Sequence, residues 1–439
     1  MENLTQNLPE IEINQIKEVL SYYSNLIQGE HDAYSNKNLK MQIPILPINA
    51  LTYLVEEITN IFTQEPTMLE LSSPICVVGD IHGQIIDLFR IFKQCGQPPN
   101  RRFLFLGDFI DRGHFSLEVL ILVYSLKLLF PSNIYIIRGN HEFECDLIVD
   151  HSLFCSEIET FYGKCSIYDQ FIKSFTFLPL AAKVDNFFLC LHGGISEDFI
   201  SIDQIRSIER PIVDFKGGII EGILWSDPID NPHVEFKASP RGYGQLFGLQ
   251  PIKNFLEENG LRFLVRGHQC KKRGFESSCG GRVLTVFSAS NYFGVEGNRS
   301  AVLFIEPKGN YKTRTFPPFN EICREDANFL TIDEYRAHRN KRKVTSSHSN
   351  DRPFKNKRVN KVVRQNMKLM NPDVGRRRNL SVQNQKYDSS SLLDGARKKV
   401  PTVINPSSAS KQANQRGNCR YPSSGRNVHY GMGSKNLFS

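Results

Sequence analysis

Ile75-Cys76-Val77-Val78-Gly79-Asp80-Ile81-His82-Gly83 reads as a short buried strand that stops at a glycine and hands two metal-ligand side chains to the following loop. Runs this short, rich in Val and Ile, are strands buried on both faces. The same grammar recurs twice. Phe103-Leu104-Phe105-Leu106 runs into Gly107-Asp108, and Ile134-Tyr135-Ile136-Ile137 runs into Arg138-Gly139-Asn140-His141-Glu142. Strand, ligand and helix repeating in this order place the ligands at one edge of one sheet. In open α/β sheets that edge, outside the carboxyl ends of the strands, is where sites form.

On the N-terminal side, Ile13, Ile16, Leu20, Tyr23 and Leu26 recur at helical spacing and predict a helix over 10–27. Residues 28–44 are polar and read as a loop. Leu51, Leu54, Ile58 and Phe62 mark a second helix over 46–62. A third is expected over 116–129, with Ser116 as its cap. After residue 180 the pattern changes. Phe187–Leu191, Phe263–Val265, Val283–Ser288 and Ala301–Ile305 are strand-like, which points to a second sheet packed on the first in a layered α/β or α+β body. The compact pattern fades after Phe329.

The chain has 439 residues, 40% hydrophobic and 23% charged, as suits a globular body with appendages. No apolar stretch reaches the ~18 residues of a membrane span, and Met1-Glu2-Asn3-Leu4 does not begin a signal-peptide pattern. The 10 cysteines form no C-x-x-C pair, so a structural zinc site is not expected. Reduced thiols in the cytosol or nucleus are the expectation. The net charge of +8 is unevenly spread. Residues 336–439 hold 24 Lys and Arg against 4 Asp and Glu, a net of +20, which leaves −12 on residues 1–335. That tail lacks large apolar residues and is expected to be disordered.

Two histidines extend the ligand set. His192 ends the run Phe187–Leu191 and precedes Gly193-Gly194, and His268 follows Gly267 at the end of another strand. Asp80, His82, Asp108, Asn140, His192 and His268 together offer carboxylate, amide and imidazole but no thiolate. That donor set suits two divalent ions of the Mn, Fe or Zn type, with Asp108 the natural bridge. Two ions held close together can generate hydroxide at neutral pH and clamp a phosphoryl group. Each residue alone has a plainer reading as a turn or core side chain; their shared position at strand ends is what gives the set meaning.

Gly79-Asp80-Ile81-His82-Gly83, Gly107-Asp108-Phe109-Ile110-Asp111-Arg112-Gly113 and Arg138-Gly139-Asn140-His141-Glu142 resemble the three signature motifs of the phosphoprotein phosphatase (PPP) family. Leu191-His192-Gly193-Gly194, Leu224-Trp225-Ser226-Asp227-Pro228 and Ser288-Ala289-Ser290-Asn291-Tyr292 agree in order and spacing with a protein phosphatase 1/calcineurin-like core. The resemblance implies a metallophosphoesterase-type β-sandwich flanked by helices over 46–325; helical spacing gives the segment over 1–45 that precedes it. It implies hydrolysis of phosphoserine and phosphothreonine by direct attack of a dimetal-bound hydroxide. Asp80, His82 and Asp108 would hold one ion, and Asp108, Asn140, His192 and His268 the other. Arg112, Arg241 and Tyr292 would bind the substrate phosphate. His141 would protonate the leaving oxygen, with Asp111 orienting it and favouring its charged form. Phosphoprotein substrates and regulatory subunits are the implied partners.

The chain departs from its relatives in the stretch Phe143 to Tyr162, at Pro240 before Arg241, at Ser290 in place of proline, and at Phe293 in place of cysteine. The ligands and the acid are unchanged. A small-phosphoester phosphatase and an inactive scaffold are the alternatives; the complete ligand set argues against the scaffold. In the tail, Lys341-Arg342-Lys343, Arg376-Arg377-Arg378 and Arg397-Lys398-Lys399 admit nucleic-acid contact or nuclear import. Few aromatics accompany them to stack on bases. The charge split also admits a tail that folds back on the body.

Overall fold

Ile75–Val78 is buried along its whole length, with alternate side chains serving different cores. Ile75 and Val77 point into a layer shared with a second sheet. Cys76 and Val78 point outward to helices. This strand pairs in parallel with Phe103–Phe105, which pairs in parallel with Ile134–Ile136. Parallel strands need covered faces, which explains why these runs are continuously apolar. The computed structural model describes residues 8–31, 40–143 and 152–337, all within the unit Met1–Arg352. The basic tail beyond residue 337 lies outside the described residues, as do 144–151 of the divergent stretch.

The first sheet has 5 strands and the second 6, and together they form the expected β-sandwich with flanking helices. In the second sheet Phe263–Arg266 lies between Phe188–Leu191 and Val283–Val286, parallel to both. Val184, Phe188, Cys190, Val265, Leu284 and Val286 meet Val77, Leu104, Leu303 and Ile305 of the first sheet in the layer between. Ser300–Glu306 differs from expectation. It belongs to the first sheet, antiparallel to Ile75–Val78 with Val302 opposite Val78. Asp80 bridges Phe287 just beyond the paired strands, so the two sheets meet at the ligand edge. Gly79 permits that approach, because a Cβ there would lie 2.0 Å from the Val286 carbonyl oxygen.

The helices form where their spacing predicts, at Leu8–Gln28, Ile48–Gln64 and Ser116–Leu129. Apart from Leu128, every residue of Ser116–Leu129 is buried, as expected of a central helix apolar all round. It carries Lys127 inward, where Nζ donates to the Ile134 carbonyl at 2.9 Å and pairs with Glu65. Ser116 is not the cap. It is the first helical residue, and its hydroxyl accepts the Asp111 amide at 3.2 Å. Within the expected loop over 28–44, Met41–Pro44 is a strand parallel to Ala327–Leu330. The helix Leu8–Gln28 contributes Ile16, Val19 and Tyr23 to the same core as Ile48–Gln64 and Ser116–Leu129.

The segment after the last sandwich strand is fastened down by Arg324. Its guanidinium forms two hydrogen bonds with Glu118, at 2.8 and 2.9 Å, and lies 3.4 Å from Glu157. The rings of Phe115, Phe161 and Phe329 surround it. Two buried carboxyls share one cation, and burial together with Glu118 pushes Glu157 up to about 8. Arg324→Ala leaves both carboxyls without their cation and should cost about 3 kcal/mol or more, read as a fall in the denaturation midpoint; an unchanged midpoint refutes the fastening role. Because the Glu157 pKa is raised on folding, its contribution is full below the ordinary 4.5 and is lost as pH rises through about 8. Glu157→Gln should remove that part of the stability–pH curve.

Candidate metal and phosphate site

The ligand loops leave the strands in conformations that side chains rarely adopt. His82, Asp108, Asp111, Arg112 and His268 all have positive φ, at 44°, 54°, 67°, 70° and 66°. Such backbones are strained for residues other than glycine and cluster at functional sites. Here they turn donors from separate strands toward one point.

The six predicted ligands are buried. Asp108 Oδ2 lies 3.4 Å from His82 Nε2 and 3.3 Å from His192 Nε2. His82 Nε2 is also 3.9 Å from Asp80 Oδ2. His192 Nε2 lies 2.8 Å from Asn140 Oδ1 and 3.2 Å from His268 Nδ1. The other ring nitrogens are committed. His82 Nδ1 bonds to the Ile110 carbonyl and His192 Nδ1 to the Leu106 carbonyl, each at 2.9 Å. A neutral ring that donates from Nδ1 presents a lone pair at Nε2. Lone pairs of imidazole, amide and carboxylate therefore face one another, which repels unless positive charge sits among them.

The electrostatics express the same demand. Burial would lower His192, yet Asp108 and Asp80 push it up to about 9, which marks the negative character of its surroundings. Burial would raise Asp108, but His192, His141 and His82 hold it well below the carboxylate range. Among the described residues two groups could each hold an ion: His82, Asp108 and His141, and Asp108, His192 and His268. Asp108 belongs to both, as a bridge must. The donors are N and O only, and they fit divalent ions of borderline or hard character.

His141 is a member of the first of these groups, where Asp80 was expected, and it also pairs with Asp111. Its Nδ1 lies 2.7 Å from Asp111 Oδ2, and its amide donates to Asp108 Oδ1 at 3.0 Å. Burial pushes the imidazole down to about 4; Asp108 opposes the shift, while Arg112, His192 and Arg241 reinforce it. Asp111, placed against Nδ1, orients the ring. Arg241 Nε donates to Asp227 at 2.6 Å and its Nη2 to the His268 carbonyl at 3.3 Å, which aims the guanidinium at the ligand cluster. The Tyr292 ring lies 5.3 Å from that of His82. Arg112 is exposed at the rim, over the ring of Phe293.

A supporting layer was not singled out from the sequence. Glu142 accepts the amides of Asp108, Phe109 and Gly139 at 2.8 to 2.9 Å. Burial, with Asp108, raises its pKa to about 7. Arg266, fully buried, donates to Asp227 at 2.9 Å and to the Gly193 carbonyl at 2.6 Å. The only sequence signal was position: Glu142 and Asp227 sit inside the quoted motifs.

The calcineurin-like phosphoesterase family matches residues 73–272. The serine/threonine-protein phosphatase 6 catalytic subunit of Drosophila melanogaster is 39% identical over 272 residues, 62% of this chain and 88% of that protein. The chain belongs to the serine/threonine protein phosphatase family. The PP2A-like phosphatase PPG1 of Candida albicans is also 39% identical, over 60% of this chain and 62% of its own length. The phosphatase BSL2 of Arabidopsis thaliana is 37% identical over 59% of this chain, and the match spans 26% of that much longer protein. A solved Saccharomyces cerevisiae serine/threonine phosphatase described as similar to human phosphatase PP5 has a TM-score of 0.58 and 32% identity, covering 63% of this chain and 92% of its own.

Gly139 tests the geometry of this family site. A Cβ there would lie 2.3 Å from Asp108 Oδ1 and 2.4 Å from the Asp108 amide nitrogen. Gly139→Ala should displace the shared carboxylate, so the purified protein should carry less metal by elemental analysis and show reduced turnover. Metal content equal to wild type would show that Asp108 is not the bridge.

Proposed function

We propose that this enzyme hydrolyses phosphoserine and phosphothreonine monoesters in proteins, using two divalent ions of the Mn, Fe or Zn type. The observation that carries the reading is the sharing of Asp108 between two donor groups, one of which includes His141, itself paired with Asp111. When bound, such ions supply charge to a phosphoryl group and a nucleophile at neutral pH. Asp80, His82 and Asp108 would hold one, and Asp108, Asn140, His192 and His268 the other.

The remaining steps belong to the side chains. Arg112 and Arg241 would take the phosphate oxygens through guanidinium forks, which suit that geometry better than an ammonium. Tyr292 would close the pocket on the side of His82. His141 is held low partly by Arg112 and Arg241. A phosphate dianion neutralises both cations and adds negative charge beside the ring, so binding of substrate should itself raise the pKa of His141. The proton then sits on Nε2, since Nδ1 faces Asp111, and passes to the leaving oxygen. Binding of regulatory subunits is part of the proposal, by likeness to a relative named as a catalytic subunit.

The test is hydrolysis of a phosphothreonine peptide by the full chain with added Mn²⁺. Loss of the acid in His141→Asn should lower kcat about 100- to 10,000-fold with the metal retained. Asp108→Asn should lose metal and activity together, and a chelator should abolish turnover. Turnover that survives both substitutions would exclude this mechanism.

A further inference from the structure

The two phosphate-facing arginines are held in different ways. Arg241 is tied by Asp227 and a backbone carbonyl. Arg112 is exposed, sits on a left-handed backbone, and has no carboxylate partner among the described residues. Its guanidinium carbon lies 5.5 Å from the centroid of the Phe293 ring.

We propose that Phe293 is a positioning residue that holds the Arg112 guanidinium ready for phosphate. This inference rests on the phosphatase reading of the site. A free arginine at a rim samples many rotamers, and ordering it on binding weakens affinity. A carboxylate would order it too, but would occupy its N–H donors and cancel its charge. An aromatic face orients the cation through the ring quadrupole and leaves the donors along its edge available.

The backbone supports the assignment. Phe293 has φ 56° and Asn291 φ 46°, so two strained residues bracket Tyr292. The conformation is fixed by Asn298, buried, whose side chain accepts the Tyr292 amide at 2.8 Å and donates to the Ala289 carbonyl at 2.8 Å. The Asn291 side chain accepts the Gly297 amide at 3.1 Å. A bulky residue at positive φ is a rare choice. Here it leaves a large ring 49% exposed beside an arginine rather than in the core, so no gain in core burial accounts for it.

The test uses the full chain loaded with Mn²⁺, with inorganic phosphate as a probe that cannot touch a peptide subsite. In Phe293→Leu, phosphate should bind about fivefold more weakly by calorimetry. KM for a phosphopeptide should rise by a similar factor, with kcat changed much less, as befits loss of uniform binding. Phe293→Tyr should restore both. In an Arg112→Ala background, Phe293→Leu should add nothing. If wild type binds phosphate and Phe293→Leu binds it equally, the inference is overturned even when peptide KM rises, because Phe293 then contacts the peptide. If loaded wild type neither binds phosphate nor turns over, the phosphatase reading fails and takes this inference with it.

Discussion

One carboxylate organises the molecule. Asp108 Oδ2 stands between His82 Nε2 and His192 Nε2, and Oδ1 receives the amide of His141. Both donor groups and His141 are therefore referenced to a single side chain. Its place depends on the parallel strand Phe103–Phe105, on a left-handed backbone at Asp108, and on Glu142, which accepts the amides of Asp108 and Phe109. The bridge from Asp80 to Phe287 then brings the second sheet, with His268, to the same edge.

The supporting charges are buried, and their value is geometric more than energetic. A buried ion pair recovers little net stability after desolvation, although breaking one is costly. Asp227 joins Arg266, fully enclosed, to Arg241 at the rim. Arg266 in turn holds the Gly193 carbonyl, next to His192. Arg241 at the rim and the loop of His192 are thus positioned through one buried link. Glu142 does the same for the loops of Asp108 and Gly139.

Much of this was legible in the chain because the governing patterns are local. Apolar runs ending in Gly-Asp or Gly-Asn announced the strands and their ligands, and helical spacing placed the flanking helices within a few residues. Pairing between distant segments was not legible. Met41–Pro44 is a strand only because Ala327–Leu330 lies beside it, and Ser300–Glu306 carries no mark of which sheet it joins. Ser116 looked like a cap because it stands at the right place, but its hydroxyl serves the Asp111 amide instead.

The hidden cost of the site lies in its backbone. Left-handed conformations at side-chain-bearing residues cost roughly 1–3 kcal/mol each. Glycine would relieve the strain at His82, Asp108 and His268 but has no donor atom to offer. A donor must carry a side chain and the loop must turn sharply, so strain and the candidate donor residues coincide. The sandwich makes this affordable by burying Val77, Leu104, Val265 and Val286 between the sheets, at about 1.5–3 kcal/mol for each large aliphatic side chain. The apolar strands and the strained ligands are therefore one arrangement: the first supplies the rigidity that the second consumes, and local propensity rules fail at the points where that exchange occurs.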